Sequence, residues 1–455
     1  MEMILEFLRD VLSQPALLIG IMSCVGLIAL KRPFHKIMTG TLKPILGYLM
    51  LAAGAGVIVS NLDPLGKMIE HGFHITGVVP NNEAIVAVAQ KVLGVETMSI
   101  LVVGLLMNLL IARFTKFKYV FLTGHHSLFM ACLMSAVLGT AGLSGIELIL
   151  VGGFLMGAWS AISPAIGQSY TSKVTDGDEI ALGHFGSLGY YLSAWVAKYV
   201  GKAEESTEDI DIPEKWGFLR DSTLSTALTM IVFYLIAAIA AGSEFVATLS
   251  GSMSPYLFAV MSAMNFAVGV AIVYSGVRMI LGDLIPAFQG IATKIIPNAI
   301  PAVDCAVFFT YAPTAVVLGF ISSFIGGIIG MLILGAVGGV LIIPGLVPHF
   351  FCGATAGIYG NATGGRRGAA VGAFLNGLAI TFLPALALPV LGQLGFQNTT
   401  FGDADFAVMG LVLGNAFEWI GMAGIYGVVV IAALVLIIPN FIKTKGKVIN
   451  YVEEE

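Results

Sequence analysis

Apolar residues run along this chain in blocks close to the length that crosses a bilayer core as a helix, about 20 residues, with short polar or glycine-rich intervals between them. Eleven blocks read as spans: 15–30, 38–59, 98–112, 119–139, 147–167, 224–242, 257–277, 303–321, 325–347, 374–393 and 419–438. The pattern predicts an all-α polytopic membrane protein. Two stretches break it, residues 176–190 and 351–368, both glycine-rich and both carrying ionisable groups. Irregular backbone at membrane depth is tolerated only where protein buries it or where it lines a cavity, so both read as re-entrant hairpins. One falls in each half of the chain, each ahead of a further apolar block, which is the layout of internally duplicated transporters. Two pseudo-repeated halves are therefore expected, although no residue-level repeat is visible.

Charge orients the spans. With the N-terminus outside and the C-terminus cytoplasmic, 18 of the 22 Lys and Arg residues fall on the inside, as the positive-inside bias requires. The intervals 243–256 and 394–418 hold no Lys or Arg and read as outer loops. The start, with Glu2, Glu6 and Asp10, is acidic where a secretory signal is basic, so the first apolar block is expected to remain as an anchor. Hydrophobic residues make up 57% and charged residues 11% of the 455 positions, at a net charge of -5. With no basic surplus to hold a phosphate backbone, nucleic acid is excluded as a partner and membrane lipid takes its place. Residues 198–221 concentrate charge and form the expected cytoplasmic loop between the halves, either a solvated linker or a docking surface.

Ionisable residues inside spans or hairpins are costly and mark candidate sites. They are His125, His126, Glu147, His184, Asp304 and Glu418. Glu147 and Glu418 lie near outer boundaries, where snorkelling suffices. His125 and His126 are adjacent, and on a regular helix they do not both face one pocket. Thr123-Gly124 before His125, and Pro297 and Pro301 before Asp304, are helix-weakening, and broken helix starts at matching depth are where transporters hold substrate. Cys24, Cys132, Cys305 and Cys352 have no metal or disulfide spacing and read as buried thiols. No metal or cofactor is expected. The chain has no HExxH, GxSxG or P-loop signature, so it is not expected to be catalytic alone.

Several motifs together resemble the ascorbate-type enzyme IIC permease of the bacterial phosphotransferase system, within the ascorbate/galactitol permease superfamily. They are Leu122-Thr123-Gly124-His125, Val174-Thr175-Asp176-Gly177 with Gly183-His184, and Gly201-Lys202-Ala203-Glu204-Glu205-Ser206. Gly276-Val277-Arg278-Met279, Ala302-Val303-Asp304-Cys305-Ala306 with Ala312-Pro313, and Gly364-Gly365-Arg366-Arg367-Gly368-Ala369 complete the set. The resemblance implies a single IIC unit over 1–455 with scaffold and core subdomains interleaved, a homodimer in the bacterial inner membrane, and elevator-type movement. It implies a small sugar or L-ascorbate substrate, phosphorylated by a separate IIB protein carrying a phosphocysteine, with IIA supplying the phosphate. The implied substrate-binding positions are Asn82, Glu83, His125, Phe129, His184, Phe185 and Asp304. His125, His184 and Asp304 match the family pattern. Glu83 stands where a tyrosine is usual, and Phe129 and Phe185 where glutamines are, which removes hydrogen-bond partners for hydroxyls. L-ascorbate or a related sugar acid or polyol is the expected substrate. The competing reading is an ion-coupled secondary transporter in which His184 and Asp304 titrate with the driving proton.

Overall fold

The computed structural model describes residues 11, 14–74, 77–80, 82–177, 179–210, 222–392 and 399–441. In chain order the elements are α1 (Pro15–Ala29), α2 (Phe34–Phe73), β1 (Val79–Pro80), α3 (Asn82–Phe114), β2 (Tyr119–Phe121), α4 (Gly124–Thr140), α5 (Gly145–Thr175), β3 (Ala181–Leu182) and α6 (Ser187–Val200). The second half continues with α7 (Ser222–Ala241), α8 (Ser243–Ser250), α9 (Pro255–Lys294), β4 (Ile300–Val303), a 3-10 turn (Cys305–Thr310), α10 (Pro313–Ala336), α11 (Leu346–Gly392), β5 (Thr399–Thr400), α12 (Ala404–Ile420) and α13 (Met422–Ile437).

The all-α polytopic class is as the pattern predicts. Among the described residues seven helices are long and apolar enough to cross a membrane, or eight when α7 and α8, bent by 117° at Gly242, are taken together. The difference from eleven blocks has a local cause. Residues 303–312, expected within a span, are strand and 3-10 turn, and α10 runs across the gap drawn between 321 and 325. The block 119–139 begins as a strand and leaves a 17-residue helix. A hydropathy window averages over such breaks and does not see them.

The two halves repeat in structure. In each, a 40-residue helix (α2, α9) is followed by a short strand, a helix, a second extended stretch, a helical hairpin, a third strand and a further helix. The strands then exchange between halves. β4 sits at the centre of a parallel sheet between β2 and β3, and at the other site β1 pairs in parallel with β5 while Val78 bridges to Ile342. The first strand of each half is thus held by the second and third of the other. A 40-residue helix is about 60 Å long, twice the bilayer core, so α2 and α9 reach well beyond one crossing. They pack on each other through Gly47 against Gly276 and Gly54 against Gly269, where an added Cβ would come within 2.6–2.9 Å of the facing carbonyl oxygens. Small residues let helix backbones approach closely where lipid supplies no hydrophobic drive.

The second hairpin lies where the glycine pattern points, but it is longer. The α11 helix breaks at Gly364 and Gly365, the latter at φ 60°, and its arms fold back so that Gly353 and Gly377 both pack on Ser323 of α10. Residues 176–190 are not a hairpin tip. They connect α5 to α6 through β3, and the counterpart hairpin by order of elements is α4–α5, turned at 141–144. The polar and glycine residues at 176–190 serve a strand and a site instead. The interval 394–418 is likewise no loop: from residue 404 it is helical, and Asp403 and Asp405 are buried.

The charged segment after α6 is not a free linker over its first part. The Arg366 amide donates to the Glu205 carbonyl at 2.8 Å, Thr207 N donates to the Asn361 side chain at 2.8 Å, and the Glu208 carboxylate accepts from Thr314 N at 3.0 Å and Ala315 N at 3.2 Å. Glu208 therefore caps the start of α10, where unpaired amides and the helix dipole favour an anion. Residues 211–221 lie outside the described residues. An added Cβ at Gly365 would sit 2.2 Å from the Lys202 carbonyl oxygen on a backbone that L-residues avoid. Gly365→Ala is expected to destabilise the protein by about 1–3 kcal/mol, against under about 0.5 kcal/mol for the exposed Gly56→Ala, read by thermal unfolding of the purified protein.

Candidate functional site

Short strands ending in mid-protein leave the following residues at one depth. β2 leads through Leu122 and Thr123 to His125 and His126 in the first turn of α4, β3 to His184, and β4 to Asp304. From the other sheet β1 leads to Asn82 and β5 to Asp403. These six side chains line one cavity of 1260 Å³ that runs along α2 from Tyr48 to Phe73. Asp63 and Lys67, paired at 2.8 Å and both more than half exposed, mark its open end. His126, His184, Asp304 and Asp403 are buried at the other.

His125 Nε2 lies 3.5 Å from Asp304 Oδ2, and its Nδ1 is 3.2 Å from the Tyr48 hydroxyl. The His126 and His184 rings are 3.8 Å apart between centroids. Both accept main-chain hydrogen bonds at Nδ1, His126 from Phe185 N at 3.3 Å and His184 from Gly186 N at 3.0 Å. A neutral imidazole that accepts at Nδ1 carries its proton on Nε2, so both rings keep an N–H to donate. Adjacent histidines do share the pocket here, contrary to the regular-helix expectation. His126, in the first turn, tilts between His184 and Phe406, stacking on the latter at 5.7 Å and 13°.

Of the residues singled out from sequence, His125, His184, Asp304, Phe129 and Asn82 reach the cavity. Phe129 lies edge-on to His125 with centroids 5.8 Å apart. Phe185 does not reach it. Its ring is fully buried behind His184, stacked on Phe121 at 4.6 Å, and only its backbone amide serves the site, because the chain turns at Phe185-Gly186 into α6. The side chain of Glu83 lies outside the described residues. Glu147 takes a hydrogen bond from Tyr426 at an exposed position, away from the cavity.

Asn82 reaches the cavity with its amide already used. Its Nδ2 donates to Asp403 Oδ2 at 2.6 Å and its Oδ1 accepts from Gly402 N at 2.9 Å. It holds Asp403. The other Asp403 oxygen accepts from the Cys352 thiol at 2.9 Å, and His184 Nδ1 stands 3.9 Å away. Sequence reasoning missed Asp403 because its segment has the length and composition of an outer loop. The signal available was Asp403-Ala404-Asp405, two carboxylates just before an apolar helix. Asp405 accepts from Ser187 Oγ at 2.7 Å, Leu188 N at 2.9 Å and Trp159 Nε1 at 3.1 Å, and its own amide donates to the Phe185 carbonyl at 2.9 Å. It thereby caps α6 and fixes the turn carrying His184.

Two groups of side chains able to hold a metal lie with their ligand atoms within 4.8 Å of one another, His126/His184/Asp403 and His184/Asp304/Cys305. The hydrogen bonding does not suit an ion. Metal-binding imidazoles donate through their second nitrogen to a carboxylate or carbonyl, whereas His126 and His184 accept there from main-chain N–H groups. The set reads as donors and acceptors for a polar organic ligand.

Strand exchange between repeats, long apolar helices and a polar cavity where the strands end define a multi-pass membrane protein with a buried polar chamber. Residues 10–405 match the family described as PTS system sugar-specific permease component, EIIC-GAT, and the chain belongs to that family. It is similar to the ascorbate-specific PTS system EIIC component of Mycoplasma pneumoniae (strain ATCC 29342 / M129 / Subtype 1), 26% identical over 417 residues. That match covers 78% of this chain and 62% of the relative, so the chain spans less than two thirds of the relative's length.

The Asn82 amide bridges α3 to the segment before α12, so its loss is structural before it is functional. Asn82→Ala is expected to lower stability by about 1–3 kcal/mol through the unpaired Asp403 carboxylate. Asn82→Asp, which sets like charges side by side, should lower it further; thermal unfolding without ligand measures both.

Proposed function

We propose that this permease component binds L-ascorbate, or a related sugar acid or polyol, in the cavity beside α2 and carries it across the bacterial inner membrane, with phosphorylation by a separate IIB protein. The observation that carries this reading is the buried end of the cavity, where Asp304 offers acceptors, the His184 ring offers a donor, His125 pairs with Asp304, and Phe129 presents an aromatic edge. Such a mix of acceptors, donors and one ring surface suits a compact polyhydroxylated ligand. Glu83 and Asn82 stand at the same helix start, Asn82 through its hold on Asp403.

Elevator-type movement is supported by how the site is divided. His125, His184 and Asp304 follow strands of one sheet, while Tyr48, which faces them, belongs to α2, packed with α9 through the glycine contacts described above. A core carrying the substrate residues slides against this scaffold, and in the homodimer the scaffold supplies the fixed part. No Lys or Arg lines the buried end of the cavity among the described residues. Phosphoryl chemistry is therefore assigned to the partner, with IIA feeding IIB, and IIB meets the cytoplasmic face at Arg366-Arg367 and the segment 201–209 bound to that hairpin tip. Guanidinium groups suit a phosphoryl group or an acidic partner surface.

The His125–Asp304 pair, at 3.5 Å, also favours the second reading, a proton-coupled secondary transporter. Proteoliposomes separate the two. Purified protein should bind substrate yet accumulate no free substrate under an imposed proton or sodium gradient, whereas cells containing IIA and IIB should accumulate the phosphorylated product. Gradient-driven accumulation of unmodified substrate by the purified chain would establish the second reading instead. Asp304→Asn should weaken binding about tenfold or more, since it removes a charged acceptor, and more than Cys305→Ala does.

The orientation proposed places the N-terminus outside and the C-terminus in the cytoplasm. A cysteine at Ser250 should react with an impermeant maleimide added to intact cells, and one at the exposed Glu204 should not. Labelling at Glu204 alone would invert the topology.

A further inference from the structure

The repeat gives Asp403 a defined counterpart. It follows β5 as His184 follows β3, each being the third strand of its half, and Asn82 follows β1 as Asp304 follows β4. His184 and Asp403 thus meet at the centre of the site, 3.9 Å apart, from opposite repeats. Asp403 is 5% exposed and faces the cavity.

We propose that Asp403 contacts the substrate directly, accepting hydrogen bonds from its hydroxyl groups, and that it determines specificity together with Asp304. This rests on the reading of the cavity as the substrate site. A carboxylate offers about four acceptor positions. Two on Asp403 are filled, one by a neutral amide and one by a thiol, which is a weak donor. No Lys or Arg forms an ion pair with it among the described residues, and the nearest His184 nitrogen is itself an acceptor. A buried carboxylate left with open acceptor positions is costly unless further donors reach it, and in this cavity a polyhydroxylated ligand brings them.

The carboxylate is also held ready. Asn82 and Cys352 fix one oxygen each, and Asp405, two residues on, ties the start of α12 to α6 and Trp159, so Asp403 and His184 keep their relative position without the ligand. A group serving only to satisfy Asn82 would need no charge, since a neutral acceptor does as well. Asp403 and Asp304 approach the ligand from two different sheets, so together they read the spacing of its hydroxyls. His184 places a ring nitrogen within 4.8 Å of a carboxylate oxygen of each.

The test uses the full-length protein in detergent or nanodiscs and direct binding of L-ascorbate and galactitol, with analogues of each lacking one hydroxyl. For whichever parent ligand the wild type binds, Asp403→Asn should lower affinity at least about tenfold, the scale of a lost hydrogen bond to a charged group. For the one analogue missing the hydroxyl that Asp403 holds, the same substitution should cost under about threefold, as expected when the contact is already absent. If Asp403→Asn does not fold, Asp403→Glu keeps the charge, displaces it by one methylene, and should show the same selective loss. Equal losses for every analogue would mark a purely structural carboxylate and overturn the proposal, as would unchanged affinity. A wild-type protein that binds neither parent ligand would overturn the reading of the cavity, and this inference with it.

Discussion

The rest of the molecule depends on the exchange of short strands between its two halves. Each strand is only two to four residues long, far too short to be stable alone, and each first strand is completed by partners from the other repeat. Buried peptide groups must find partners, the more so at membrane depth where water is scarce. The pairing β2–β4–β3 and its counterpart around β1 satisfy those groups at the points where helices stop. Helices that stop inside the protein leave their first amides unpaired, and the side chains just past the strands lie at those ends.

That constraint explains why the polar residues gather. Asp304, His184, His125 and Asp403 are distant in sequence, but each follows a strand by one to four residues, so pairing the strands brings the side chains to one depth. Several ionisable groups within a largely apolar protein are tolerable because each has at least one polar partner: His125 with Asp304, Asn82 and Cys352 with Asp403, Ser187 and Trp159 with Asp405. The arrangement is thus a polar chamber built from what would otherwise be an electrostatic liability. The cavity opens between this cluster and α2, which brings Tyr48 into contact with His125 across the boundary between the two helix groups.

The segment after α6 adds a link from the site to the charged face. Glu208 caps α10, Glu205 and Thr207 hold the α11 hairpin tip, and the arms of that hairpin carry Cys352 toward Asp403. A protein docking on residues 201–209 would therefore press on elements continuous with the cavity. Arg366, 3.9 Å from Glu205, sits where such a contact would be felt.

The amino-acid sequence alone determined the class, because length and hydropathy of apolar blocks are set by bilayer thickness and need no knowledge of partners. It also exposed His125, His184 and Asp304, since an ionisable residue beside a glycine or proline break is conspicuous within apolar chain. Phe129 and Asn82 came from resemblance, and the structure brings both to the cavity while giving the Asn82 amide to Asp403. Tertiary structure decided the rest. Strand pairing across 121–320 residues of separation leaves no local periodicity, so the short strands were read as span, loop or hairpin. Phe185 was separated from its neighbour His184 by the turn at Phe185-Gly186 that leads into α6. Asp403 and Asp405, in an interval that looked like a loop, became buried partners of the site only when β5 paired with β1, since burial of a polar residue is a property of what folds over it and not of its own sequence neighbours.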